Sequence, residues 1–207
     1  MKSEEKILDK IKKIIPVPDK SIYNYTWSLA VFFVLSVFFG IYTAYVEPGE
    51  TAKLFEQIMT EYSELGEAGP VTLFLIIFFN NIIITFVMMM LGIFFSLTPI
   101  FFVWANGFIF GLAAPTLSSS LGIITVALGI LPHGIIEIPA ALLSAGYGIW
   151  LGKKSYRTLR YKEPLLPSIR QASRGYFQYI LPLFFVAAFI EAFFTKFILD
   201  KIINLAI

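Results

Sequence analysis

Five long apolar runs dominate the chain, at 27–46, 71–95, 97–114, 121–151 and 177–199, and the stretches between them hold nearly all the charge. A bilayer core needs ~20 consecutive apolar residues per helix. Each run therefore predicts a membrane helix, and the whole chain predicts an all-α, polytopic membrane helix bundle of about five transmembrane spans with amphipathic surface helices. The fourth run is long for one span and short for two. Gly129, Pro132 and Gly134 lie inside it. Proline removes a backbone donor and clashes with the preceding turn, so a Pro-broken fourth segment is expected: a short half-segment, a break at Pro132, then a spanning helix. Such a break survives in a membrane only where protein or a water-filled cavity satisfies the freed backbone groups, which predicts a polar pocket there.

Composition agrees with this reading. Of 207 residues, 57% are hydrophobic, 14% are charged and 22 are Phe, with a mean hydropathy of +0.78; soluble domains carry about 25% charged residues. The net charge of +2 matters less than its placement. Lys2, Lys6, Lys10, Lys12, Lys13 and Lys20 precede the first run, and Lys153, Lys154, Arg157, Arg160, Lys162, Arg170 and Arg174 precede the last, against Glu163. Glu47, Glu50, Glu56, Glu61, Glu64 and Glu67 follow the first run, against Lys53. Cytoplasmic loops are the Lys/Arg-rich ones. The expected organisation is thus a cytoplasmic basic amphipathic lead over 1–26 and a single membrane domain over 27–207. That domain has an extracytoplasmic helical loop at 47–69 and a basic cytoplasmic loop at 152–176. The N-terminus is placed in the cytoplasm and Ile207 outside, in a multi-pass cell-membrane protein. No small-x-small cleavage site follows the first run, which reads as a retained signal anchor.

Two helices that do not span are expected. Ser3 can cap one, with Glu4 and Glu5 in its first turn and Ile7, Leu8, Ile11, Ile14 and Ile15 on one face, ended by Pro16 and Pro18. Its flanking lysines suit anionic lipids of the cytoplasmic leaflet; a solvated helix or a disordered lead is the alternative. Leu54, Phe55, Ile58, Met59, Tyr62 and Leu65 form a second helical face that stops at Gly66. Small residues punctuate the spans: Gly107-x-x-x-Gly111, Gly148-x-x-x-Gly152, and Ala141 and Ala145 in line with the latter. They permit close helix approach, within the bundle or across a homodimer.

The chemistry concentrates in Leu131-Pro132-His133-Gly134-Ile135-Ile136-Glu137, which holds the two ionisable groups, Tyr apart, between Val71 and Leu151. An ionisable residue in hydrocarbon is costly and marks a candidate site. A helix stacks His133 and Glu137 on one face. Asn80, Asn81 and Asn106 add amides within apolar runs, and Glu191 adds a second carboxylate near the middle of the last one. Three readings stand side by side: a His133–Glu137 hydrogen bond that holds the broken helix, a proton or ion path, and a divalent metal held by His133, Glu137 and Glu191. Zn²⁺ takes about four ligands, and this chain has one His and no Cys, so the metal reading needs a water or a second subunit. No cofactor is otherwise expected. No Gly-x-Ser-x-Gly elbow, His-Glu-x-x-His or Walker loop is present. Ser118-Ser119-Ser120 reads as a turn between spans. The basic loop follows from the positive-inside rule rather than from nucleic-acid binding.

Asn80-Asn81, Gly92, Asn106-Gly107, Gly111, Pro132-His133-Gly134-x-x-Glu137, Gly146, Gly148 and Ile190-Glu191-Ala192, in that order, resemble the stage II sporulation protein M (SpoIIM) family over nearly the whole chain, and the five-span layout is similar. In spore-forming bacteria the family's members are membrane components of the machinery for septal peptidoglycan thinning and engulfment, acting with stage II sporulation proteins D and P. Relatives also occur in organisms that make no spores, archaea included. The resemblance implies membership of a membrane assembly, not a reaction. The expected function is a non-enzymatic membrane scaffold that recruits or organises envelope or membrane-remodelling partners. A small transporter or channel is the alternative, and a metal-dependent intramembrane enzyme the third.

Overall fold

The computed structural model describes residues 18–54, 56 and 69–195. The lead helix expected from Ser3, most of the outer helical face beyond Leu54, and Ile207 lie outside the described residues. Five helices are long and apolar enough to span a membrane: α1 (Lys20–Val46), α2 (Pro70–Leu91), α3 (Leu97–Leu121), α4 (Ile123–Tyr161) and α5 (Leu166–Thr195). No strand occurs among the described residues, so the protein is an all-α membrane helix bundle.

Local chemistry sets most of the helix ends. Asp19 caps α1, its Oδ1 accepting from the Ser21 backbone N–H and from Ser21 Oγ at 3.0 Å each. The backbone donor above all holds the Asp19 carboxyl below the usual carboxylate range. Helix α1 thus starts at Lys20 and not at Trp27, because a capping Asp satisfies the otherwise orphaned amides of the first turn. Pro70 opens α2 at a position where its missing N–H costs nothing. Gly122, at φ +81°, separates α3 from α4 in a conformation that L side chains rarely adopt. The expected turn at Ser118–Ser120 is corrected by this: all three serines are helical.

Two larger expectations are also corrected. The fourth segment is not broken at Pro132. Helix α4 runs for 39 residues through both Pro132 and Pro139. Without water to take up freed carbonyls, the cheapest course in a bilayer is to keep every remaining helical bond. The 152–176 stretch is likewise not a loop. Helix α4 continues through its basic residues to Tyr161, α5 starts at Leu166, and the connection is 162–165. Its stop signals are Lys162, in a left-handed conformation, and Pro164, which disfavours helical backbone in the residue before it.

Helix α4 is central. In its spanning window 56% of residues are buried, against 17–28% for the other four helices, and it touches each of them. Helices α1 and α3 pair tightly where Gly40 lies on Phe108 and Gly111: a Cβ on Gly40 would sit 3.0 Å from the Gly111 carbonyl carbon and 2.9 Å from the Leu112 nitrogen. The α2–α3 turn settles on α4 through Gly92, Gly148 and Gly152, and there Ser96 Oγ donates to the Ile149 carbonyl at 3.2 Å. In that turn Phe95 (φ 54°) and Ser96 (φ 65°) are both left-handed without being glycine. Helix α5 contains two π-helical stretches, Tyr176–Ile180 and Ile190–Thr195.

Candidate intramembrane polar site

Polar side chains from four helices gather around the first half of α4. One turn of α4 supplies His133 and Glu137, four residues apart. With Gly134 they line a cavity of about 180 Å³ whose other walls include Phe33 of α1 and Phe102 and Asn106 of α3. Gly134 is buried, and its missing side chain leaves room beside the imidazole. Glu191 approaches from α5: its Oε2 lies 4.0 Å from His133 Nε2, with the two side chains 31% and 15% exposed. From α2, Asn81 Nδ2 donates to Glu137 Oε1 at 3.0 Å.

The expected His133–Glu137 hydrogen bond is replaced by these contacts. Stacking at i and i+4 brings two side chains to one face but does not aim them at each other. The Asn81 amide takes the Glu137 carboxylate, and His133 faces Glu191 at a distance too long for a hydrogen bond. His133 Nδ1 is buried with no hydrogen-bond partner. Ligand atoms of His133, Glu137 and Glu191 nevertheless lie within 4.8 Å of one another. Three groups that sequence separates by up to 58 positions thus share one site.

The other expected residues divide. Asn106 lines the cavity but spends its Nδ2 on the Phe102 carbonyl of its own helix, 2.8 Å away. Asn80 is exposed and takes no part. Pro132 sits within α4 beside His133. Gly107 meets Phe33 and Ser36 of α1, Gly111 meets Val37 and Gly40, Gly148 meets Pro99 and Met89, and Gly152 meets Ser96 and Gly92. All four are spent on contacts within this bundle.

Sequence reasoning missed the polar layer next to the site. Tyr176 Oη donates to the Ile82 carbonyl at 2.7 Å and lies 2.8 Å from Thr85 Oγ1. Ser144 Oγ donates to the Thr85 carbonyl at 3.0 Å. Both contacts tie α2 to its neighbours, one to α5 and one to α4. Hydroxyls are too common in membrane helices for spacing to single these out; only the paired elements identify them.

Helices of this length and polarity around a central rod, with amides and a His–Glu–Glu cluster inside, define a polytopic α-helical membrane protein with an intramembrane polar site. The chain belongs to the stage II sporulation protein M (SpoIIM) family, whose family model matches residues 29–196, a span that includes every residue of the cluster. No curated protein and no solved structure matches the chain.

Proposed function

We propose that this protein is a non-enzymatic integral membrane scaffold that recruits or organises cell-envelope or membrane-remodelling partners. The length of α4 supports this best. Its 39 residues make ~58 Å of helix, against a hydrocarbon core of ~30 Å. One end of the central rod therefore stands clear of lipid. That end presents Lys153, Arg157 and Arg160, all exposed, with Lys162, Arg170 and Arg174 around the connection to α5. Arg157 pairs with Glu163 across it, which braces the turn. A rigid cationic platform suits acidic segments of partner proteins and anionic lipid headgroups. A second copy of the chain is among the partners this reading admits.

The test is a photo-crosslinking residue at Arg160 in native membranes. The same partner proteins should be captured repeatedly, and their capture should fall about tenfold or more when Arg157, Lys162 and Arg170 are changed to Gln together. Capture of lipid alone, or of proteins regardless of those charges, overturns the reading. The convergence of His133, Glu137 and Glu191 supports a second reading, a small transporter or channel. Ion or proton flux through the purified chain in liposomes, abolished by Glu137→Gln, would put that reading in its place.

The platform is assigned to the cytoplasm by the positive-inside rule, with the N-terminus on the same side and the C-terminus opposite. Cysteines placed singly at Glu56 and Arg160 should label from opposite faces of sealed vesicles. Labelling from the same face refutes the assignment.

A further inference from the structure

We propose that His133, Glu137 and Glu191 form a binding site for one divalent first-row metal ion, with Zn²⁺ as the reference ion and a fourth coordination position open to the cavity beside Asn106. The inference is independent of the scaffold reading and starts from charge. Between Leu54 and Gly152, and again between Gly175 and Thr195, the chain has no Lys or Arg. Two carboxylates therefore converge inside the spanning region with no cationic side chain of those segments to offset them. Uncompensated charge in hydrocarbon costs several kcal/mol per ion by order of magnitude. A divalent cation shared by two carboxylates is neutral as a unit and removes both the repulsion and the desolvation mismatch.

Geometry points the same way. A point between three atoms no more than 4.8 Å apart lies within about 2.8 Å of each, against ~2.0–2.2 Å for Zn²⁺–nitrogen and Zn²⁺–oxygen bonds. Closing the site asks for movements well under an ångström at each side chain. The imidazole has coordination capacity to spend, since Nδ1 is buried without a partner and Nε2 is beyond bonding distance of Glu191. The Asn81 amide orients the Glu137 carboxylate through one oxygen, as outer hydrogen bonds orient ligating carboxylates in metal sites. Glu191 is carried on the π-helical stretch Ile190–Thr195, and π-helical insertions recur at functional positions. The cavity of about 180 Å³ has ample space for a coordinated water, which completes four ligands from three protein groups.

The test uses the full chain in lipid nanodiscs, stripped with a chelator and titrated with Zn²⁺. The expected result is one equivalent per chain, a melting temperature that rises with Zn²⁺ concentration as mass action requires, and visible ligand-field bands of low-symmetry coordination when Co²⁺ is added instead. Glu191→Gln and His133→Ala should each weaken Zn²⁺ binding about tenfold or more, whereas Asn80→Ala should bind as the parent does. Glu191→Gln keeps the shape of the side chain, so its metal-free melting temperature should match that of the parent. If either substituted chain does not fold, the Co²⁺ spectrum of the unaltered chain decides. A spectrum identical to aqueous Co²⁺, substoichiometric Zn²⁺ uptake by the parent, or undiminished binding by Glu191→Gln overturns the proposal.

Discussion

Leucine in place of Gly92 should prevent the bundle from assembling, and alanine there should already lower its melting temperature markedly. A Cβ at this position would lie 2.6 Å from both the Cα and the carbonyl carbon of Gly148. These are backbone atoms of the central helix and cannot rotate away. The opposing side is equally closed, since a Cβ on Gly148 would meet the Pro99 ring at 2.5 Å. Overpacking of this kind costs about 1–3 kcal/mol for the smallest insertion and more for a branched side chain, against a folded stability of roughly 5–15 kcal/mol. Gly69→Ala is the control, because nothing lies near its Cβ position; it should stay within about 0.5 kcal/mol of the parent. Size-exclusion profiles and melting curves in lipid nanodiscs would measure the effect. A Gly92→Leu chain that runs and melts like the parent would refute the packing account.

Tyr176→Ala should be nearly as damaging, and Tyr176→Phe much less so. The side chain is 1% exposed, with its ring edge-on to Phe86 at a centroid distance of 5.0 Å and its hydroxyl bonded across to α2. Truncating a buried aromatic in a soluble core costs about 3–5 kcal/mol. In a bilayer the transfer term largely vanishes, because lipid is as apolar as the core. The lost dispersion contacts and the cavity remain, which gives roughly 2–4 kcal/mol. Phenylalanine keeps the ring and loses the hydroxyl's hydrogen bonds, about 1 kcal/mol. Equal damage from both substitutions would move the weight from packing to the hydrogen bonds and contradict this division.

These two residues also mark where sequence reasoning reaches its limit. The spans were legible because a bilayer demands a length of apolar chain that little else explains. Their ends were not: helix α4 runs on through Lys153, Lys154, Arg157 and Arg160, since a helix leaving the membrane has no reason to stop at the first charge when no breaker is present. The Pro132 break failed for a related reason. The penalty for an internal proline is measured against a chain that water can solvate, and that alternative is absent in lipid. His133, Glu137 and Glu191 were legible by the cost of their burial, and as one candidate metal-ligand set. Their true pairing was not, because Asn81 and Glu191 reach α4 from helices whose rotation only the assembled bundle fixes. Gly40 escaped notice for the same reason, since it acquires meaning only against Gly111 on another helix.

Helix α4 has a mechanical consequence as a lever. From His133 to Tyr161 it is ~42 Å long at 1.5 Å per residue, so a change of about 10° in tilt at the cluster carries the far tip through roughly 7 Å. Side chains at the cluster need shift only by fractions of an ångström to close around a ligand. The same rod converts such a shift, where it rotates the helix, into a displacement of Arg157 and Arg160 comparable with the Debye length of ~8 Å at physiological salt. The intramembrane cluster and the positive charge of Arg157 and Arg160 are thus carried by one continuous helix.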